Sequence, residues 1–334
     1  MGAAAPVHLR LDEAEDALRS PYALERYSVL SGAPLVVVHC EEKDRVSPEL
    51  SGALRRLACP NVAVHAADEG GARFSAFDLA FDDESRVAVV EEAVAQNPLA
   101  ALALVQLLRV GDQLELHEAL VAESLVYSTL QAGPEFAEWL RRRGEPARAD
   151  PEPGPAVRVE RFHDQLVISL NRPRRHNAFS VEIRDALAEA LAMAVADTSV
   201  SEIVLRGEGP SFSSGGDLSE FGDLPDPATA HAVRATRNPA RLLALCAIRV
   251  QARVHGACIG AGCELPAFAA RVVAAPGAFF QLPEVAMGLV PGAGGTASLP
   301  QRIGRQRTAW LALSRERIDA ETALAWGLVD EIAG

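Results

Sequence analysis

Two six-residue runs constrain this chain more than anything else in it, FSSGGD at 212–217 and IGAGCE at 259–264. Each comes after a short, largely apolar stretch that reads as a strand, SEIVLRG before the first and RVQARVHG before the second. Each includes small residues, glycine among them, that let backbones approach closely. Such a loop lets N–H groups converge on one point, and a helix opening behind it would add a partial positive charge. Taken singly, either loop reads as well as a tight strand-to-helix turn. The second also ends on a carboxylate, Glu264, inside the apolar stretch HGACIGAGCELPAFAA, where a buried and unpaired charge is costly.

The surroundings of the two loops predict alternating strands and helices. VRVERFHDQLVISLNRP alternates with a turn signal at His163-Asp164, as a hairpin does. SVEIRDALAEALAMAVAD has apolar residues at helical spacing and Ser180 as its N-cap, and Pro266 suits the first turn of a helix after Glu264. Strand, helix, strand, loop, helix, strand is the order of a layered α/β fold. Upstream, RRRGEPARADPEPGPAVRVE disfavours both helix and strand. It divides the chain into an N-terminal segment at 1–145, a linker at 146–156 and a C-terminal unit at 157–334.

The N-terminal segment has a similar rhythm. APLVVVHCEE and NVAVHAAD read as strands around the helix SPELSGALRRLAC. Two long helical patterns follow, one broken at Pro98 and one at Gly133-Pro134. In the second, Leu116, Leu120, Glu123 and Tyr127 recur at helical spacing.

Charge and cysteine usage narrow the function classes. The formal net charge of −13 argues against general nucleic-acid binding but leaves room for a small anionic ligand, which reads only a local field. Five scattered cysteines predict reduced thiols, and neither they nor the eight histidines show metal-ligand spacing, so no metal is expected. The first residues lack a signal-peptide pattern, and the longest apolar run, 98–108, is too short to span a bilayer. These features predict a cytoplasmic protein without membrane or nucleic-acid partners.

A second carboxylate, Glu284, lies twenty positions after Glu264 in FFQLPEVAMGLVPGAGG. Two carboxylates in apolar surroundings near one ligand can differ in pKa and divide acid and base roles. His255 and Cys263 flank this region and read as packed residues rather than nucleophiles. GAGG at 292–295 lacks the GxGxxG spacing of a dinucleotide loop.

RPRRHNAFS, GPSFSSGGDLSEF, HGACIGAGCEL, FQLPEVAMGLVPGAGGTASLPQRIGR and a late GLVDEI, in this order and spacing, closely resemble the enoyl-CoA hydratase/isomerase (crotonase) superfamily over residues 157–332. The resemblance implies an α/β fold of stacked ββα turns from about residue 155 to 334, preceded by a smaller α/β-plus-helical segment. It implies a coenzyme A thioester as ligand and substrate, no separate cofactor, and a homo-oligomer, trimer or hexamer. By motif, the amides of Gly216 and Ala261 would form an oxyanion hole, and Glu264 and Glu284 would match the glutamates that hydratases use to position and deliver water. Ser214, Gly215, Asp217 and Gly260 would line the substrate, with Asp217 alternatively capping the helix behind it. Arg174, in the loop with Arg172 and Arg175, would lie near the coenzyme A nucleotide, or be a solvated charge. The activity implied is an enoyl-CoA hydratase or dehydratase. An acyl-CoA isomerase, hydrolase or decarboxylase of the same fold, or a non-catalytic acyl-CoA-binding subunit, remains an alternative.

The resemblance also implies helices beyond GLVDEI that cover the acyl pocket. In this chain the stretch from NPLAALALVQLLRV to FAEWLRRRGEP, upstream of the linker, resembles that helical region. The expectation is a rearranged tandem, in which a vestigial first unit lends its terminal helices to the second. The alternative is an unrelated helical extension.

Overall fold

The computed structural model describes residues 5–65, 73–144, 152–223 and 226–333, so most of the linker expected at 146–156 lies outside the described residues. The chain begins with β1 (Val7–Arg10), α1 (Leu11–Leu18), α2 (Ala23–Arg26), β2 (Val36–Cys40), α3 (Pro48–Arg56), β3 (Asn61–His65) and β4 (Leu79–Phe81). The four strands form a parallel sheet in sequential order. The sequence patterns predict β2, α3 and β3 of this part and not β1, α1, α2 or β4. The strands are valine-rich because both faces are covered. Val36 and Val38 pack with Leu11, Tyr27 and Leu54 on one face, while Val37 and Val62 join a larger core on the other.

Four helices follow: α4 (Ser85–Gln96), α5 (Pro98–Gly111), α6 (Leu116–Gln131) and α7 (Pro134–Arg143). The predicted breaks fall where expected. Pro98 and Pro134 each occupy a first helical position, where the missing N–H costs nothing, and α4 and α5 meet at 114°. The α5 start is capped from α7, since Glu135 accepts from Leu99 N at 2.7 Å and Ala100 N at 3.0 Å. No single helix among the described residues is long and apolar enough to cross a membrane.

The second half contains β5 (Val157–Phe162), β6 (Gln165–Leu170), α8 (Val181–Ala196), β7 (Glu202–Gly207), α9 (Pro227–Thr236), α10 (Pro239–Cys246), β8 (Val250–Val254), β9 (Ala257–Ile259), α11 (Ala261–Glu264), β10 (Arg271–Ala274), β11 (Phe279–Gln281), α12 (Gly295–Ile303), α13 (Arg305–Ser314), β12 (Ile318–Asp319), α14 (Ala320–Trp326) and β13 (Glu331–Ile332). The hairpin turns at His163-Asp164, with His163 at φ 57°. A six-stranded sheet runs β13-β10-β8-β7-β6-β5, parallel except for the hairpin, and a smaller sheet runs β12-β11-β9. Consecutive pairs β8–β9 and β10–β11 each give one strand to each sheet, with β8 parallel to β10 and β9 parallel to β11. This is the stacked ββα architecture expected from the sequence.

The two halves share one core. Leu104, Leu108 and Leu120 of α5 and α6 belong to the same buried cluster as Leu299, Leu311 and Leu313 of α12 and α13. Beside it, the buried Asp78 accepts from Arg109 Nε at 2.8 Å and from Arg305 Nη1 at 3.1 Å, so one carboxylate ties the first sheet to α5 and α13.

Candidate active site

Both glycine loops open onto one cavity of about 360 Å³. At the first loop, Phe179 pairs in parallel fashion with Gly216. Its N–H donates to Gly215 O at 2.7 Å and its carbonyl accepts from Asp217 N at 3.2 Å. Those bonds use the residues on either side of Gly216, so the Gly216 N–H points away from the pairing. At the second loop, Gly260 turns the chain from β9 into α11 at φ 50°. Its carbonyl accepts from Cys263 N and Glu264 N, which leaves the Ala261 N–H at the helix start without an intrahelical partner. Among the described residues neither amide donates a hydrogen bond, and both Gly216 and Ala261 line the cavity.

The helices behind these loops are shorter than expected. FSSGGD leads into a single 3-10 turn at Leu218–Glu220, α11 is a single turn that ends rather than begins at Glu264, and Pro266 opens a separate 3-10 turn. Helix dipoles therefore add little at either amide. The longer helix that does point its N-terminus into the cavity is α12, and its first amides are taken by carboxylates.

Glu264 Oε2 accepts from Ala293 N at 2.7 Å and Gly295 N at 2.8 Å. Glu284, in a 3-10 turn at Glu284–Met287, faces the same cavity, and its Oε2 is buried without a hydrogen-bond partner among the described residues. A third carboxylate comes from the other half of the chain. Glu123 of α6 accepts from Gly294 N at 2.7 Å, Thr296 N at 2.9 Å and Thr296 Oγ1 at 2.6 Å. Burial pushes Glu284 up to about 8 and Glu123 up to about 7. Glu264 stands well above the ordinary carboxylate range through burial, and then through the charges of Glu284 and Glu123.

The remaining wall is also shared between the halves. Leu120 and Tyr127 of α6 face Phe179, Phe221 and Leu265 across the cavity. The α9 helix is fixed to α6 by a 2.9 Å bond between His231 Nδ1 and Ser124 Oγ. The same pairing is reinforced by Arg234, which donates to Gln131 Oε1 at 3.0 Å and lies 4.6 Å from the Tyr127 ring centre.

Of the residues expected at the site, Gly216, Ala261, Glu264, Glu284 and Asp217 line the cavity. The Asp217 carboxylate is already engaged, capping the 3-10 turn through Ser219 N at 3.0 Å and pairing with Arg175. Ser214, Gly215 and Gly260 lie behind the wall as backbone supports. A side chain at Gly260 would collide with Glu284 Oε1, and one at Gly215 would lie 2.9 Å from Ile259 O. Arg174 is exposed and outside the cavity wall, and Arg172 is a buried support paired with Glu182. Cys263 is buried with its thiol pushed up by desolvation, and His255 Nε2 lies 2.8 Å from Gly209 O, so neither is placed as a nucleophile. Glu123, Tyr127 and Arg234 were not anticipated at the site. The one available signal was a glutamate on an otherwise apolar helical stripe.

The sequence pattern of the enoyl-CoA hydratase/isomerase family matches residues 164–334. The 2,3-dehydroadipyl-CoA hydratase of Escherichia coli (strain K12) is 37% identical over 174 residues, which are 52% of this chain and 68% of that protein. The 1,2-epoxyphenylacetyl-CoA isomerase of the same strain is 34% identical over 171 residues, 50% of this chain and 65% of that one. Among solved structures, an enoyl-CoA hydratase/isomerase from Mycobacterium paratuberculosis superposes with a TM-score of 0.51 at 31% identity, over 54% of this chain and 73% of the other. The chain belongs to the enoyl-CoA hydratase/isomerase family, of the crotonase superfamily. Its family match begins in the β5–β6 hairpin, so β1–β4 and α1–α7, including the helix that carries Glu123, lie outside it.

Proposed function

We propose that the chain catalyses addition of water to the double bond of an enoyl-CoA thioester, or the reverse dehydration. The observation that carries this reading is the pairing of Glu264 and Glu284 in one cavity with two undonated amides, Gly216 N–H and Ala261 N–H. The thioester oxygen accepts from both amides, which stabilises the enolate-like transition state. At neutral pH the raised pair retains a proton. Two amide donors on Glu264 favour the charge there, whereas Glu284 Oε2 has no donor and holds the proton. Glu264 then takes a proton from water as its oxygen bonds to the β-carbon, and Glu284 gives its proton to the α-carbon. A proton passing from Glu264 back to Glu284 restores the starting state. This chemistry needs no metal or redox group, because the chain supplies each acid, base and donor. The family's trimer or hexamer is the assembly to look for, by sedimentation velocity.

The test is the loss of conjugated-thioester absorbance with short, branched and dicarboxylic enoyl-CoAs. Glu264→Gln and Glu284→Gln are expected to lower kcat by roughly a hundredfold or more. Full activity in both variants would reject the reading. Isomerisation of a double bond in place of hydration would favour an isomerase reading, the other activity in the family's name.

A further inference from the structure

The four amides from Ala293 to Thr296 are divided between carboxylates from opposite halves of the chain. Ala293 and Gly295 donate to Glu264, and Gly294 and Thr296 donate to Glu123. Neighbouring amides in a turn point in different directions, so the run acts as a wedge with a carboxylate on each side. Glu123 is 3% exposed and its two oxygens account for three donors, a level of satisfaction that a mere packing residue on α6 would not need. Shortening or removing it would leave Gly294 N–H and the Thr296 donors buried and unmatched, and the run that holds Glu264 would be free on one side.

We propose that Glu123 is a positioning residue of the active site, contributed by the N-terminal segment, which locks the Ala293–Thr296 run that orients Glu264 and governs how protons are shared between Glu264 and Glu284. The geometry explains why the front of the chain is tied to the catalytic half by a carboxylate rather than by apolar contacts alone. The groups that face Glu123 make the electrostatic part definite. Glu264 comes from α11, Glu284 from the 3-10 turn at Glu284–Met287, Arg234 from α9, and Tyr127 from its own helix. Arg234 is the cation whose charge acts on Glu123, and it also lies over the Tyr127 ring, so it offsets only part of the negative charge. Glu123, Glu264 and Glu284, all raised by burial and facing one cavity, cannot all ionise at neutral pH. The charge on Glu123 opposes ionisation of the other two, and its effect on both is a raised pKa. The chain thus carries a third titrating group that does not touch the reacting carbons.

The role in catalysis rests on the hydratase reading, but the positioning and the proton sharing do not, so the test reads both. The full chain is labelled with 13Cδ-glutamate, and carboxyl shifts are followed against pH in wild type, Glu123→Gln and Thr296→Val, with Glu264→Gln and Glu284→Gln to assign the signals. In wild type Glu123, Glu264 and Glu284 are expected to titrate above the ordinary range, alongside Glu135 and Glu220, which burial also raises. In Glu123→Gln, Glu264 and Glu284 are expected to move down by about half a pH unit or more, because a neighbouring negative charge is gone. The acid limb of the enoyl-CoA hydration profile should move the same way. Thr296→Val keeps all three carboxyls and guards against a Glu123→Gln variant that does not fold. There Glu123 itself is expected to titrate higher while Glu264 and Glu284 move the opposite way. Folded variants in which the Glu264 and Glu284 titrations stay at their wild-type positions would overturn the proposal, whatever happens to the rate. A wild-type chain that hydrates no enoyl-CoA yet shows these shifts would reject the hydratase reading and leave this one standing.

Discussion

Glu264 and Glu123 are anchored on the same four-residue run and take its amides in alternation, although 140 residues of chain separate them. Glu264 comes from the one-turn helix behind the second glycine loop, and Glu123 from the middle of a sixteen-residue helix in the other half. The N-terminus of α12 is an anion site of the kind that helix ends provide. In this protein its occupants are two of the chain's own carboxylates.

The fit around Glu264 leaves no room for a side chain at Gly295. A Cβ there would lie 2.5 Å from Glu264 Cγ and 2.7 Å from Oε2. Gly295→Ala is therefore expected to push the carboxylate out of line and lower kcat on an enoyl-CoA by roughly a hundredfold, as misplaced catalytic groups do. Affinity for a saturated acyl-CoA, measured by calorimetry, should change far less. An unchanged kcat would show that Glu264 is not held where the reaction occurs.

Asp78 joins the halves at a distance from the cavity. It is 1% exposed and pairs with Arg109 and Arg305, which are themselves buried. Asp78→Ala leaves the buried Arg109 without its carboxylate and Arg305 with only Asp112, 3.3 Å away, and is expected to cost about 3–5 kcal/mol in urea unfolding. Because the two halves share one core, a single transition is expected. Separate transitions for the halves would contradict the continuous core.

How much of this was legible in the sequence differs by element. Strands β2, β3 and β5–β8, the proline breaks and the hairpin at His163-Asp164 follow from periodicity and turn chemistry, which are local, whereas the two- to four-residue strands β1, β4 and β9–β13 are too short to show a period. The two loops and the Glu264–Glu284 pair stood out because small residues and carboxylates are unusual in apolar runs. Glu123 showed only as a glutamate on a helical stripe, since its meaning depends on Gly294 and Thr296, more than 170 residues away. The helices behind the loops were overestimated for a related reason: α11 ends at Glu264 and Pro266 begins a new turn, an outcome set by tertiary contacts. Arg172, Arg174 and Arg175 looked alike in RPRRHNA, and only their partners separate two structural ion pairs from one exposed cation.

The raised carboxyls give stability a definite pH dependence. Glu284 is pushed up to about 8 and Glu123 up to about 7, from an ordinary value of 4.5. A native carboxyl that holds its proton more tightly than the unfolded one stabilises the fold fully below about pH 4.5 and loses that contribution as pH rises to about 8. Wild type is therefore expected to lose stability between pH 5 and 8.5. In Glu284→Gln, neutral at every pH, that loss should shrink by a few kcal/mol, as an order of magnitude. Equal pH dependence in the two proteins would contradict a buried, proton-holding Glu284.

The most direct test of the whole account is an experimental structure of the full chain with a non-hydrolysable acyl-CoA bound. The predicted result has the carbonyl oxygen within hydrogen-bond distance, about 2.7–3.1 Å, of both Gly216 N and Ala261 N, the β-carbon between Glu264 and Glu284, and the acyl chain against Leu120 and Tyr127 of the same polypeptide. A carbonyl bound away from the two amides, or an acyl chain that never meets α6, would contradict it.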